Sequence, residues 1–127
     1  MSSSPARVLY VDDEAALVFL ITRALAKLGI ASVGFASAQE ALTAFGREPQ
    51  AFTLVLTDLT MPGGMSGLEL AEAVLAIRPD VAVVIASGCI DPAETQRAAA
   101  VGVRTVIQKP AKVAEMAAEL SRDYADR

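Results

Sequence analysis

Five residues of this 127-residue chain carry charged or hydroxyl side chains at points where short apolar segments end. Asp12 and Asp13 directly follow RVLYV, and Asp58 follows FTLVL after one threonine. Ser87 follows VAVVIA, and Lys109 follows VRTVI after one glutamine. Three carboxylates, a hydroxyl and an amine brought together can bind a hard cation and a phosphoryl group.

Three carboxylates held close together repel one another, so such a site favours the capture of a cation. The chain has no histidine and one cysteine, Cys89, which removes most zinc chemistry and any internal disulfide. Oxygen ligands favour a hard metal ion, and Mg²⁺ is the available one. Beside Mg²⁺, Asp58 would act as a nucleophile on phosphorus and form an aspartyl phosphate. Lys109 and the Ser87 hydroxyl would contact further phosphoryl oxygens.

Each of these residues also has an ordinary structural explanation. Asp13 is a suitable cap for a following helix, and Asp58 suits the start of a turn. Ser87 before Gly88 is a common turn pair, and Lys109 suits a surface position. The occurrence of all of them where strands end favours the functional interpretation over five separate structural ones.

The elements that must position these residues alternate regularly along the chain. Buried strands are predicted over 7–11, 31–35, 52–56, 81–86 and 103–107. Amphipathic helices are predicted over 15–28, 37–45, 66–78, 91–101 and 111–124. Gly29 and Gly102 mark two helix ends, and the segments 37–40 and 66–69 each match a capping box.

Strands without a polar face that alternate with helices favour an α/β fold, a doubly wound five-stranded parallel sheet with helices on both faces. The chain is too short for an α/β barrel of about 250 residues. For Asp12 and Asp13 to meet Asp58, the first and third strands must be neighbours, which predicts the order 2-1-3-4-5. The weaker second strand, interrupted by Gly34, then lies at an edge.

Composition excludes several other classes of protein. Apolar residues make up 54% of the chain, which excludes a disordered segment. A net charge of −4 without a basic stripe argues against direct binding of nucleic acid. The longest apolar run, 15–21, is far below the roughly 18 residues of a membrane helix. The start, MSSSPA, lacks the pattern of a signal peptide, so a cytoplasmic location is expected.

At these residues the chain resembles the receiver domain of two-component response regulators. The resemblance runs from about residue 7 to 124 and implies a flavodoxin-like fold, with a flexible tail at 1–6 and a receiver domain at 7–127. Four motifs carry it: the pair Asp12-Asp13, the segment DLTMPGGMSG from Asp58 to Gly67, the step Ser87-Gly88, and Lys109-Pro110.

The resemblance implies Mg²⁺-dependent transfer of a phosphoryl group to Asp58 from a phosphohistidine of a histidine kinase or histidine phosphotransfer protein. It implies that Asp13, Asp58 and the Thr60 carbonyl ligate Mg²⁺. Asp12 would hold a metal-bound water. The reaction would switch a protein-interaction surface, so self-phosphorylation and autodephosphorylation are expected rather than turnover of an external substrate.

The resemblance also assigns the phosphate contacts: Ser87 is the switch hydroxyl, and Lys109 forms a salt bridge with the phosphate. Three features depart from the family pattern. Gly63 and Gly64 lengthen the loop after Asp58 by one residue and make it more permissive. Val106 stands where the family usually has an aromatic switch residue, so the usual coupling to Ser87 is absent or rerouted. Ser87 itself replaces the commoner threonine.

Three other functions stay open. A receiver-like scaffold that no longer uses phosphate is compatible with Val106 and the extra glycine. A phosphatase of the haloacid dehalogenase type also uses an aspartyl nucleophile but needs an acid two residues later, where this chain has Thr60. A nucleotide- or flavin-binding module needs a glycine-rich loop after the first strand, where Asp12, Asp13 and Glu14 stand.

The output of the domain is also open. The chain is either a stand-alone regulator or the receiver of a longer protein such as a hybrid histidine kinase, and the run from Asp58 to Pro62 and the end soon after Tyr124 favour the second. Receiver domains commonly pair through the face of the fourth helix, last strand and last helix, which leaves homodimer formation open.

Overall fold

Five parallel strands and four helices make up the part of the chain that the computed structural model describes, residues 7–61, 64–88 and 91–108. The strands are β1 (Arg7–Val11), β2 (Ala31–Phe35), β3 (Phe52–Asp58), β4 (Ala82–Ser87) and β5 (Thr105–Gln108). The helices are α1 (Ala15–Lys27), α2 (Ala38–Arg47), α3 (Gly67–Ile77) and α4 (Pro92–Val101), with a 3₁₀ turn at Pro49–Ala51. Outside the described residues lie the predicted tail 1–6, the predicted last helix 111–124, Gly63, Cys89 and Lys109.

The sheet order is β2-β1-β3-β4-β5, and all four strand pairings are parallel. This confirms the order predicted from the need to bring the first and third strands together. Strand β2 is partly exposed at one edge, as its weaker apolar pattern indicated. The register places Val11 beside Thr57 and Asp58 beside Ala86, so the ends of β1, β3 and β4 lie next to one another.

Side chains alternate along the strands and fill a core on each face of the sheet. Leu9 and Val11 of β1 belong to the core that α2, α3 and α4 cover. Val8 and Tyr10 belong to the core that α1 covers. Helices therefore cover both faces, as predicted. None of the described helices has the length and apolar character needed to cross a membrane.

The helix ends follow the predicted capping residues. Gly29 has a φ of 80°, which favours glycine, and the Ile30 amide donates to the Leu25 carbonyl at 2.9 Å while its side chain is buried. Ser66 forms both bonds of a capping box with Glu69 at the start of α3. In α2 the Ser37 hydroxyl accepts from the Glu40 amide, the Ser37 half of the predicted box.

The last described strand begins later than the sequence predicts, at Thr105 rather than at residue 103. The Val103 amide donates to the Ala98 carbonyl at 2.9 Å and so completes the end of α4 instead of a strand ladder. Gly102, with a φ of 103°, turns the chain at this point. The boundary was therefore wrong because Val103, although apolar and buried, uses its amide in the helix cap.

Arg78 connects the end of α3 to the start of β3, at the end of the sheet away from the predicted site. Its Nη1 donates to the carbonyls of Pro49 at 2.7 Å and Phe52 at 2.5 Å, and its Nε donates to Asp80 at 3.0 Å. The side chain is only 12% exposed. Charge-assisted bonds from a largely buried guanidinium are among the stronger ones in a protein.

Arg78→Ala is expected to lower the free energy of unfolding by about 2 kcal/mol, because two backbone carbonyls lose a charged donor. Urea denaturation measures this loss. Arg97→Ala is the matched control, since Arg97 is exposed and its ion pair with Glu94 is long, at 4.0 Å. This variant is expected to lower the free energy of unfolding by less than about 0.5 kcal/mol. Equal losses in the two variants would contradict the assigned role of Arg78.

Candidate functional site

The candidate site lies at the carboxyl edge of the sheet, where β1 and β3 end side by side. Asp12 and Asp13 follow β1, and Asp58 is the last residue of β3. One carboxylate oxygen from each of the three lies within 4.8 Å of those of the other two. The predicted convergence of the three carboxylates is confirmed, and it results from the neighbouring positions of β1 and β3.

Asp12 is the most enclosed of the three carboxylates, with 1% of its surface exposed. Its Oδ2 accepts a hydrogen bond from the Tyr10 hydroxyl at 3.0 Å. Its Oδ1 accepts from the backbone amide of Glu14 at 2.9 Å, at the start of α1. Hydrogen bonds to both oxygens compensate for removing this carboxylate from water.

Asp13 is exposed to solvent. The ordinary explanation for an acid at this position was a cap for the following helix. In the structure Asp12, not Asp13, accepts the hydrogen bond from the Glu14 amide, and the Glu14 side chain does not cap α1. Asp13 lines a pocket with Ala36, Met61 and Gly64, so the described ends of the loop after Asp58 lie beside Asp13.

Asp58 is 8% exposed, and the backbone around it is held from three directions. The Thr57 hydroxyl donates to the Asp58 carbonyl at 3.0 Å. The next amide, that of Leu59, donates to the Ala86 carbonyl of β4 at 2.8 Å, and the Leu59 carbonyl accepts from the Gly67 amide at 2.9 Å. The phosphoacceptor predicted from the sequence is thus held by β4 and by the first turn of α3.

Gly67 lies so close to Asp58 that no side chain fits there. A Cβ atom built on Gly67 would overlap the Asp58 carbonyl oxygen and would lie 2.9 Å from the Leu59 Cα. Atoms at that separation cannot coexist without a shift of the backbone. In the sequence Gly67 was the end of one motif and a member of a capping box, and neither indicated its packing against Asp58, which sequence reasoning missed.

Tyr10 is the second residue that sequence reasoning missed. It is 1% exposed, and burial together with the neighbouring Asp12 charge raises its pKa well above the usual value of about 10. The phenol therefore stays protonated and remains a donor to Asp12. The available signal was its position two residues before Asp12, since residues two apart on a strand share a face.

Ser87 is the last residue of β4, 5% exposed, in the strand next to the one that ends in Asp58. The structure therefore places the predicted switch hydroxyl at the same sheet edge as the carboxylates. Thr60 follows two residues after Asp58 with an exposed side chain, and the ligand role of its carbonyl stays a prediction. Lys109 lies outside the described residues, and its predicted role also stays a prediction.

Val106 lines a small cavity between β5 and α4 together with Ser87 and Thr95. The Thr95 hydroxyl is buried and has no hydrogen-bond partner within the described ranges. The valine, which stands where an aromatic switch residue is usual, therefore lies beside open space rather than filling it. Ser87 and residues of α4 thus line the same cavity.

The donor set of the site fits a hard cation. All three convergent side chains are carboxylates, and neither nitrogen nor sulfur ligands lie among them. Mutual repulsion of the three charges at this spacing decreases when a divalent ion binds between them. The residues present are thus those that Mg²⁺ or Ca²⁺ would bind, whereas zinc sites are mostly built with histidine or cysteine.

Comparison with known sequences identifies relatives of this chain. The profile of the family described as "Response regulator receiver domain" matches residues 8–121. Over 110 residues the chain is 34% identical to the C4-dicarboxylate transport transcriptional regulatory protein DctD of Rhizobium meliloti, covering 87% of this chain and 23% of DctD. The chain spans only 21–24% of the length of three curated relatives, DctD among them.

Solved structures agree as well. The CheY-like response regulator receiver domain protein of Methanospirillum hungatei has a TM-score of 0.84 at 25% identity, over 97% of this chain and 96% of that one. A response regulator from Burkholderia pseudomallei, solved with a phosphorylated aspartic acid, a calcium ion and citrate, has a TM-score of 0.78 at 25% identity, over 94% of this chain and 73% of that one. Since the family profile spans most of the sequence and the fold is CheY-like, the chain belongs to the response regulator receiver domain family.

Proposed function

We propose that this chain is the phosphoacceptor of a two-component system, in which Asp58 receives a phosphoryl group in a Mg²⁺-dependent reaction. The observation that carries the proposal is the meeting of three carboxylates at one sheet edge, with the oxygens within 4.8 Å of one another. Mutual repulsion makes a cluster of carboxylates destabilising by itself, and a bound cation would offset that repulsion.

Each residue has a defined task in the proposed reaction. A carboxylate oxygen of Asp58 forms a bond to phosphorus, and the phosphorus–nitrogen bond of the donor breaks, leaving its electron pair on the imidazole nitrogen. Asp13, Asp58 and the Thr60 carbonyl would hold the metal ion, and Asp12 would hold a water on it. Bound Mg²⁺ lowers the electrostatic cost of bringing a carboxylate and a phosphoryl group together. Ser87 would donate to a phosphoryl oxygen.

The phosphohistidine donor lies outside these 127 residues in this proposal, because they contain no histidine. In this proposal the phosphohistidine belongs to a histidine kinase or a histidine phosphotransfer protein. The phosphorylated aspartic acid and calcium ion of the Burkholderia pseudomallei relative support the same chemistry here. The proposal keeps the cytoplasmic location expected from the sequence, and phosphorylation switches a protein-interaction surface.

Incubation with acetyl phosphate and Mg²⁺ is expected to add the mass of one phosphoryl group to the intact protein. Removal of Mg²⁺ with EDTA is expected to stop the labelling, because the three carboxylates then repel the donor. Intact-mass spectrometry measures both results. Labelling that proceeds equally well in EDTA would contradict the proposed cation site.

A Mg²⁺ titration with and without beryllofluoride tests the main alternative, a scaffold that does not use phosphate. The proposal expects tighter Mg²⁺ binding when beryllofluoride occupies the position of the phosphoryl group beside Asp58. No binding of either ligand would favour the scaffold. Rapid hydrolysis of a generic phosphomonoester would favour the phosphatase instead.

A further inference from the structure

Tyr10 has a buried hydroxyl that the proposed phosphoryl transfer does not itself use. We propose that Tyr10 is a positioning residue for the cation site, and that its hydrogen bond to Asp12 holds that carboxylate in the orientation that metal binding requires. This inference rests on the proposed function, since it concerns the same cation site.

The Asp12 carboxylate is held from both ends of its planar group. Tyr10 donates to Oδ2 at 3.0 Å and the Glu14 amide donates to Oδ1 at 2.9 Å. A single bond would leave the group able to rotate about Cβ–Cγ, whereas two donors on the two oxygens fix its plane. Partners of metal-binding groups that fix orientation in this way commonly change metal affinity 10- to 100-fold when removed.

Tyr10 is a rigid support for this bond. Its ring is 1% exposed and packs in the core formed with α1, which includes Ile21 and Leu25. Its backbone lies in β1 between two strands, beside Gly34 of β2 and Leu56 of β3. A donor fixed by a packed core and two strand ladders holds its acceptor at little additional cost in entropy.

The other explanation of the bond is purely structural: Asp12 satisfies a tyrosine hydroxyl that the core has buried. The two explanations differ in what removal of the hydroxyl changes. A structural role changes the stability of the fold and leaves the cation affinity alone. A positioning role changes the affinity for the cation while the folded chain remains able to react.

Tyr10→Phe tests the inference, because it keeps the ring and removes only the hydroxyl. The dissociation constant for Mg²⁺, measured by isothermal titration calorimetry on the full chain, is expected to rise about 10-fold. Phosphorylation of Asp58 by acetyl phosphate is expected to slow at low Mg²⁺ and to approach the wild-type rate at saturating Mg²⁺. Thr22→Val is the matched control: it removes a hydroxyl on α1 that bonds the Val18 carbonyl at 2.8 Å, and it is expected to leave the Mg²⁺ affinity within about twofold.

A second measurement does not depend on the folding of Tyr10→Phe. The chain has two tyrosines and no tryptophan, so in Tyr124→Phe the near-ultraviolet absorbance of tyrosine reports Tyr10 alone. A Mg²⁺ titration is expected to shift that absorbance with the same dissociation constant that calorimetry gives. Wild-type affinity for Mg²⁺ in Tyr10→Phe, or a Tyr10 absorbance unchanged by bound Mg²⁺, would overturn the role of Tyr10 but leave the proposed cation site standing. A wild-type chain that binds no Mg²⁺ would overturn the proposed cation site and the inference together.

Discussion

Asp58→Asn is expected to reduce phosphorylation of the chain by acetyl phosphate and Mg²⁺ to below about 1% of the wild-type level. The amide has nearly the shape of the carboxylate but lacks the charged oxygen that attacks phosphorus. Asp58 is 8% exposed at the end of β3, so its packing matters. Because asparagine has nearly the same shape, the substitution keeps that packing and changes the chemistry of the site. Intact-mass spectrometry after a fixed incubation measures the loss.

The same substitution is expected to act on stability in the opposite direction. Without Mg²⁺, one fewer charge in the cluster of Asp12, Asp13 and Asp58 relieves repulsion, so the apo form becomes more stable by about 1 kcal/mol. Asp80→Asn is the matched control, since Asp80 is an exposed partner of Arg78 at the other edge of the sheet. Labelling of Asp58→Asn at the wild-type level would identify another acceptor and refute the proposed function.

Gly67→Ala is expected to damage both the fold and the reaction, because the new methyl group overlaps the Asp58 carbonyl oxygen. Either the first turn of α3 or the backbone of Asp58 must move. Overpacking of this kind costs about 2–3 kcal/mol of unfolding free energy. A displacement of about 1 Å at a reacting group lowers the rate by about 100-fold, so phosphorylation is expected to slow by that order.

Two other glycines serve as controls for Gly67→Ala. A Cβ on Gly46, inside α2, meets nothing within 4 Å, so Gly46→Ala is expected to stabilise the fold by about 0.5–1 kcal/mol. Gly102 has a φ of 103° at the end of α4, so Gly102→Ala is expected to cost about 1–2 kcal/mol. Neither variant should slow phosphorylation. A rate loss in Gly102→Ala as large as in Gly67→Ala would show that reduced stability alone explains both.

The positions of the carboxylates were predictable from the sequence for a simple reason. The ends of parallel strands share one edge, so acids that follow the first and third strands meet once those strands are neighbours. The apolar pattern also indicated which strand lies at the edge, through Gly34. These inferences need the period of a strand, the direction of its chain and the assumption that the three acids form one site.

The supporting contacts were not predictable in the same way. The packing of Gly67 against Asp58 depends on the path of a loop between residues nine positions apart, and no local pattern encodes that path. The Tyr10 bond was within reach of strand periodicity but depends on the side-chain rotamer. Arg78 reaches carbonyls 26 and 29 residues earlier, a contact that only the completed fold creates.

The helices differ greatly in how firmly they are anchored, and this difference bears on any signal that starts at Asp58. Helix α3 buries Leu70, Ala71 and Val74, whereas the buried side chains of α4 amount to Ala98. Burial of a leucine contributes about 1.5–3 kcal/mol and burial of an alanine far less, so α4 is held to the sheet by much less free energy. With a cavity beneath it and Ser87 on the wall of that cavity, α4 is expected to separate from the sheet at a lower cost in free energy than α3. Its amide protons should accordingly exchange with solvent sooner than those of α3.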